Sequence, residues 1–146
     1  MRRIYSKEEV CIGCRLCEIH CQVEHSSSRN IIKVFKEEIP PPPRIIVEEE
    51  GPVSFALQCR HCAEPYCGYA CISGAIYQDE QTGEIIHDPD KCIGCWTCVL
   101  ACTKGAIWPD LRERSIAAKC DMCPERENPA CVEMCPNDAL YMVDED

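Results

Sequence analysis

The sequence predicts a small α+β protein of short strands and short helical turns, organised around bound metal more than around an apolar core. Three observations predict it. Sixteen cysteines fall in four groups of four along 146 residues, with none left over. The apolar supply is thin: the 46% hydrophobic figure includes those cysteines, aromatics make up 6%, and 11 prolines and 7 glycines interrupt the chain. A domain with so little to bury is usually held by disulfides or metal. Lastly, every segment that reads as regular structure is short.

In chain order, Met1–Glu9 carries paired arginines but no apolar stretch, so it reads as neither a Sec nor a Tat signal. A chain made without export is expected in the reducing cytoplasm, where metal is a better use of cysteine than disulfides. The first group is Cys11-x2-Cys14-x2-Cys17-x3-Cys21, and its last gap places i and i+4 on one helix face, which predicts a helical turn over Cys14–Cys21. The stretch 22–58 has no cysteine; it holds Ser26–Ser28, Pro40–Pro43 and Glu48–Glu50, with an Ile45-Ile46-Val47 patch between. It is expected to be a surface linker with a stiff, extended proline run.

The second group is Cys59-x2-Cys62-x4-Cys67-x3-Cys71. After it, Gly74–Tyr77 and Glu84–His87 read as two strands joined by a turn around Asp79–Gly83. The third group, Cys92-x2-Cys95-x2-Cys98-x3-Cys102, repeats the first and predicts a second helical turn over Cys95–Cys102. Gly105–Trp108 follows as a strand candidate. The fourth group, Cys120-x2-Cys123-x7-Cys131-x3-Cys135, shares with the second a loose middle and a proline two residues before its third cysteine, Pro65 and Pro129. Ala139–Val143 is the last strand candidate, and Asp144–Asp146 reads as a frayed acidic tail.

Charge and hydropathy exclude two classes. A net charge of −10, spread through the chain, argues against binding nucleic acid by phosphate neutralisation. No apolar run approaches the roughly 18 residues of a membrane span. Nor is there a Ser/His/Asp arrangement, a phosphate-binding glycine loop or a dinucleotide fingerprint, so no catalysis is expected of the chain alone.

Structural zinc wants two ligand pairs separated by a longer loop, often with histidine. Four cysteines within eleven residues depart from that pattern. An x2-x2 loop places three thiolates at three corners of a cubane, while the fourth cysteine, a helical turn on, serves another site. Two such runs, with two looser ones that complement them, point to four [4Fe-4S] clusters, ahead of zinc and disulfides. His20, His25, His61 and His87 are not needed as ligands; His61 reads as a donor behind a ligand. Arg15, Arg60, Lys91 and Lys119 stand beside cysteines, either as solvated charges or as charges that raise a potential, and Trp96 and Trp108 read as covers against water.

The motifs Cys11-Ile-Gly-Cys-Arg-Leu-Cys, Cys59-Arg-His-Cys-Ala-Glu-Pro-Tyr-Cys, Asp90-Lys-Cys-Ile-Gly-Cys and Lys119-Cys-Asp-Met-Cys, with Asn-Pro-Ala-Cys131-Val-Glu-Met-Cys-Pro136, resemble the four-cluster ferredoxin-type electron-transfer subunits. Such subunits accompany molybdenum and tungsten oxidoreductases, hydrogenases and carbon monoxide dehydrogenases in anaerobic metabolism. The likeness is greatest to the carbon monoxide dehydrogenase-associated ferredoxins and the small subunits of aldehyde oxidoreductases. It covers nearly the whole chain and is weakest over 22–58. The family's proline after the last cysteine of a group is kept only after Cys135; Gln22, Ile72 and Thr103 replace it elsewhere, which removes no ligand.

The resemblance implies nested ligation. Cys11, Cys14 and Cys17 would share a cluster with Cys135; Cys120, Cys123 and Cys131 with Cys21; Cys59, Cys62 and Cys67 with Cys102; and Cys92, Cys95 and Cys98 with Cys71. An inner ferredoxin-like module, 59–108, would then sit inside an outer one made of 1–58 and 109–146. The implied function is a relay between a catalytic subunit (carbon monoxide dehydrogenase, aldehyde oxidoreductase, formate dehydrogenase or hydrogenase) and a second redox protein. A free shuttling polyferredoxin is the alternative, and a zinc-rich structural adaptor a distant third.

Overall fold

A computed structural model describes residues 1–145. In chain order the elements are β1 (Arg2–Ser6), α1 (Leu16–Glu24), α2 (Ile31–Val34), β2 (Ile45–Glu50), β3 (Val53–Gln58), α3 (Tyr66–Tyr69), β4 (Ile76–Gln78), β5 (Ile85–His87), α4 (Thr97–Ala101), β6 (Ile107–Asp110), β7 (Ile116–Lys119), α5 (Ala130–Glu133) and β8 (Leu140–Asp144). The strands form two-stranded antiparallel sheets, β1–β8, β2–β3, β4–β5 and β6–β7. The α+β expectation holds.

The β4–β5 hairpin forms where two strands joined by a turn around Asp79–Gly83 are expected, in register Ile76↔His87 to Gln78↔Ile85. The strands expected at Gly105–Trp108 and Ala139–Val143 are β6 and β8, and the helical turns are α1 and α4. Their partners β1 and β7 are additions, as are the single-turn helices α3 and α5, which begin directly after Pro65 and Pro129.

The stretch 22–58 is not a surface linker. Helix α1 runs into it as far as Glu24, and its second half is the β2–β3 hairpin, paired from Ile45↔Gln58 to Glu50↔Val53. Alternation puts Ile45, Val47 and Ala56 inward, where each is buried. Hydrogen bonds lace the hairpin to the rest: Glu18 Oε1 accepts from the Val47 N–H (2.7 Å), Gln58 Nε2 donates to the Ile4 carbonyl (2.7 Å), and the Ala56 N–H donates to Ser6 Oγ (3.1 Å). The proline run itself is neither helix nor strand, although Pro41 is fully buried and its carbonyl accepts from Gln22 Nε2 (2.9 Å).

The acidic end is likewise ordered over its described residues. Asp144 is in β8, opposite Arg2, and Glu145 pairs with Arg3 (2.7 Å) and accepts from the Tyr5 hydroxyl; Asp146 lies outside the described residues.

Two cores result. One gathers Ile4, Ile45, Val47, Ala56, Ala106, Met122 and Leu140 around the buried cysteines 17, 21, 59, 120 and 131. The other packs Ile76, Ile85, Ile107 and Ala117 around Cys98. Cys102 touches both. Thiols thus take the place of the aliphatic side chains that the composition lacks.

Candidate metal centres

Each group turns on a tight x2 loop, and all four loops turn alike. The residue before the second cysteine is left-handed in every case: Gly13 (φ 65°), His61 (45°), Gly94 (70°) and Met122 (61°). Glycine adopts this conformation freely; His61 and Met122 adopt it under strain, held by nearly complete burial of both side chains. In the two tight groups the residue after the second cysteine, Arg15 or Trp96, is left-handed as well, both at φ 61°. Left-handed residues placed between ordinary ones turn successive N–H groups to one side, a shape suited to an anion.

After each x3 gap the chain turns again, so that backbone N–H groups reach the last thiol. Ala106 N–H donates to Cys102 Sγ (3.4 Å) and Ala139 N–H to Cys135 Sγ (3.2 Å). The turn needs a left-handed residue, supplied by Gly105 and, at the matching place, by Asp138 (φ 49°). Cys21 is the exception, because α1 continues past it. Its donor is the N–H of Arg44, at 3.2 Å, from the stretch before the hairpin.

Cysteines distant in sequence meet on cavity walls. Cys11, Cys14, Cys17 and Cys135 line one. Cys59, Cys62, Cys67 and Cys102 line another. Cys71, Cys92, Cys95 and Cys98 line a third, with Trp96 and His87 on its wall. Cys21, Cys120, Cys123 and Cys131 are all buried, and Cys131 feels the charges of the other three. Cys14 and Cys95 are the two exposed thiols. None of the sixteen is in a disulfide.

Burial pushes the thiols of Cys17 and Cys21 up to about 12 and that of Cys67 to about 11, and raises Cys59, Cys98, Cys120, Cys123 and Cys131 as well. Two are lowered. At Cys95 the Thr97 hydroxyl is the largest cause; at Cys71 the N–H groups of Ile76, Ala75 and Ser73, with the Ser73 hydroxyl, outweigh burial. Thiols buried so close together ionise readily only when a cation takes the proton's place.

The expected charges divide on inspection. Arg15 is half-exposed and pairs with Glu18 (3.0 Å), while Lys91 lies over the Tyr77 ring. Arg60 lies over Tyr5 and donates to the Ile4 carbonyl. Lys119, by contrast, is 2% exposed, so it is no solvated charge. His61 Nδ1 accepts the Ile85 N–H (3.0 Å), and burial, with the Lys119 charge next, holds its pKa down at about 3. His25, not needed as a ligand on the sequence, has its ring between the Cys21 carbonyl (2.8 Å) and the Asp121 carboxylate (3.1 Å).

The donor set fits iron–sulfur chemistry. Zinc, at about 2.3 Å from each sulfur, would draw four thiolates into contact; here three tetrads line the walls of separate spaces, with N–H groups aimed at sulfur at Cys102 and Cys135, while at the fourth the donor atoms of His25 and Asp121 lie within 4.8 Å of the Cys123 sulfur. Four-cysteine walls, repeated at three separate spaces, define an iron–sulfur protein. Residues 53–145 match the 4Fe-4S dicluster domain family, and the chain belongs to the ferredoxin-type iron–sulfur electron-transfer proteins, whose clusters are [4Fe-4S].

Electron transport protein HydN of Escherichia coli (strain K12) is 36% identical over 158 residues, spanning 98% of this chain and 88% of HydN. An iron-sulfur protein of Rhodospirillum rubrum is 34% identical over 158 residues, 98% of this chain and 82% of that protein. AegA of E. coli (strain K12) is 36% identical over 149 residues, but the chain spans only 22% of its length. Among solved structures, the active site complex BamBC of benzoyl coenzyme A reductase shares the fold, with a TM-score of 0.53 at 17% identity over 100% of this chain and 80% of that one. Among the described residues, no helix is long and apolar enough to cross a membrane.

Proposed function

We propose that this chain is a non-catalytic electron relay carrying four [4Fe-4S] clusters, held by the four cysteine tetrads above, between a catalytic oxidoreductase subunit and a second redox protein in a reducing, cytoplasmic setting. The observation that carries the reading is that three separate cavities each have four cysteines on their walls, with the four remaining cysteines buried together. Every tetrad takes three thiols from one group and one from another, which ties the outer segments 1–58 and 109–146 to each other and leaves 59–108 as an inner unit.

When bound, the clusters supply one-electron chemistry at low potential. The chain's own part is to hold thiolates, aim N–H groups at sulfur and exclude water. The Cys21 tetrad is fully buried and suits an interior station. The Cys11 and Cys71 tetrads each include an exposed thiol, Cys14 and Cys95, and form the two terminals. Carbon monoxide dehydrogenase, aldehyde oxidoreductase, formate dehydrogenase and hydrogenase are the partner classes proposed; the shared fold with BamBC adds reductases of that kind. A net charge of −10, made more negative by the clusters, favours a basic docking face and an on-rate that falls with salt.

Metal and sulfide analysis of anaerobically prepared protein tests the cofactor count, with about sixteen iron and sixteen sulfide expected per chain. Stoichiometric zinc, or iron near eight, overturns it. Stopped-flow reduction by a purified partner and its substrate, across a salt series, tests the relay. Turnover of substrate by the isolated chain would end it.

A further inference from the structure

Lys119 is the last residue of β7 and the residue before Cys120. Its ammonium is 2% exposed and donates to two backbone carbonyls, those of Ile85 and Cys120, the latter at 2.7 Å. Among the described residues no carboxylate lies within ion-pair distance of it. Asp121, next but one in sequence, is engaged by Arg44 (2.6 Å) and His25 (3.1 Å) instead.

A buried ammonium without an anionic partner is costly, and folded proteins normally pair it. The anions available here are thiolates. Ile85, whose carbonyl Lys119 bonds, stands on the cavity wall with Cys59 and Cys67, and Cys120 adjoins Lys119 in sequence. Those thiols belong to two different tetrads, one from each of the two nested segments.

The surroundings fix the ammonium in place. Ile85 accepts from Lys119 through its carbonyl and donates through its N–H to His61 Nδ1. His61 is the left-handed residue of the Cys59–Cys62 loop. One backbone unit of β5 thus connects the lysine to that loop, while the Cys120 carbonyl connects it to the other.

Resting on the four-cluster reading, we propose that Lys119 is a positioning residue shared by two clusters: its buried charge stabilises the reduced state at the Cys59 tetrad and at the Cys120 tetrad together, keeping the two interior stations of the relay matched in potential. Each gains one negative charge on reduction, and one fixed cation between them favours both events. Lys119 makes no hydrogen bond to a residue on the walls of the two terminal tetrads, at Cys11 and Cys71.

The test is a paramagnetic-resonance redox titration of holo-protein with Lys119→Met, which keeps the stem and removes the charge, and Lys119→Arg, which keeps the charge. Iron content is measured on the same samples. Lys119→Met is expected to lower two of four potentials by at least about 59 mV, a tenfold shift in a one-electron equilibrium, with the other two held and Lys119→Arg close to wild type. Loss from the methionine variant of only the Cys59 and Cys120 clusters, with rescue by arginine, also supports the proposal. Four unchanged potentials, a shift at all four, or loss of the Cys11 or Cys71 cluster overturns it. Wild-type iron far below sixteen would instead overturn the four-cluster reading.

Discussion

The backbone N–H of Arg44 donates to Cys21 Sγ at 3.2 Å, so a residue from the longest cysteine-free stretch completes the surroundings of a thiol in the first group. Elsewhere that donor is local, as Ala106 is to Cys102 and Ala139 to Cys135. Continuation of α1 past Cys21 removes the local turn, and 22–58 supplies the substitute. The Arg44 guanidinium then holds Asp121, on the loop between Cys120 and Cys123.

Two substitutions separate these roles. Arg44→Ala keeps the N–H and loses the ion pair; with Asp121 partly exposed, the cost is about 0.5–1 kcal/mol by denaturant titration. Arg44→Pro removes the N–H too and extends the proline run. It is expected to make the cluster at Cys21 the first to be lost on exposure to air, seen as one missing resonance signal with the other three retained.

Crossed ligation predicts damage at a distance. Cys135→Ser should impair the cluster held by Cys11, Cys14 and Cys17 and spare the one held by Cys120, Cys123 and Cys131; Cys21→Ser should do the reverse. Paramagnetic resonance on both variants decides it, and the same cluster impaired in both would show that the tetrads are drawn wrongly.

The two loop glycines should differ sharply. At Gly13 an added Cβ meets the Glu49 carboxylate at 2.7 Å, the far end of an exposed side chain that can swing away. Gly13→Ala is therefore expected to cost about 1–2 kcal/mol of left-handed strain and keep its iron. At Gly94 the Cβ would stand 2.2 Å from the Ser115 carbonyl oxygen, which is backbone. Gly94→Ala should cost more than about 3 kcal/mol or release iron from the Cys71 tetrad; thermal melts and iron content compare the pair.

Asp110 offers a pH test away from the thiols. Burial alone would raise its carboxyl, but a bidentate bond from Arg112 (3.0 and 2.7 Å) outweighs that and holds it below the usual carboxylate range. A depressed folded pKa gives stability that is present above the unfolded value, about 3.9, and fades as the pH falls through the folded one. Asp110→Asn should cost about 1–2 kcal/mol in urea midpoints, evenly from pH 5 to 8. That gap should close below about pH 4.

Much of this was legible because cysteine spacing is a strong constraint: the four groups and the strands after them could be placed from residues alone. What stayed hidden was non-local. Arg2-Arg3-Ile4-Tyr5-Ser6 has no strand signature until β8 lies beside it, and Lys119 is held by the Ile85 carbonyl of β5, thirty-four residues back. Pro65 and Pro129 each precede a single helical turn, and a proline alone does not distinguish a helix start from a loop. Glu48–Glu50 masked a hairpin whose turn, at Gly51-Pro52, was in view. Burial of His61 depends on the Ile85 N–H, twenty-four residues on, and no local pattern announces it.

The pairing of β1 with β8 also governs timing. Translation at about 5–20 residues per second puts on the order of ten seconds between the two strands. Throughout that interval Cys11, Cys14 and Cys17 are present, yet the wall of their cavity lacks Cys135. Iron delivered early would find three thiols and open solvent there. The cluster proposed there would close only once Cys135 is made, 118 residues after Cys17.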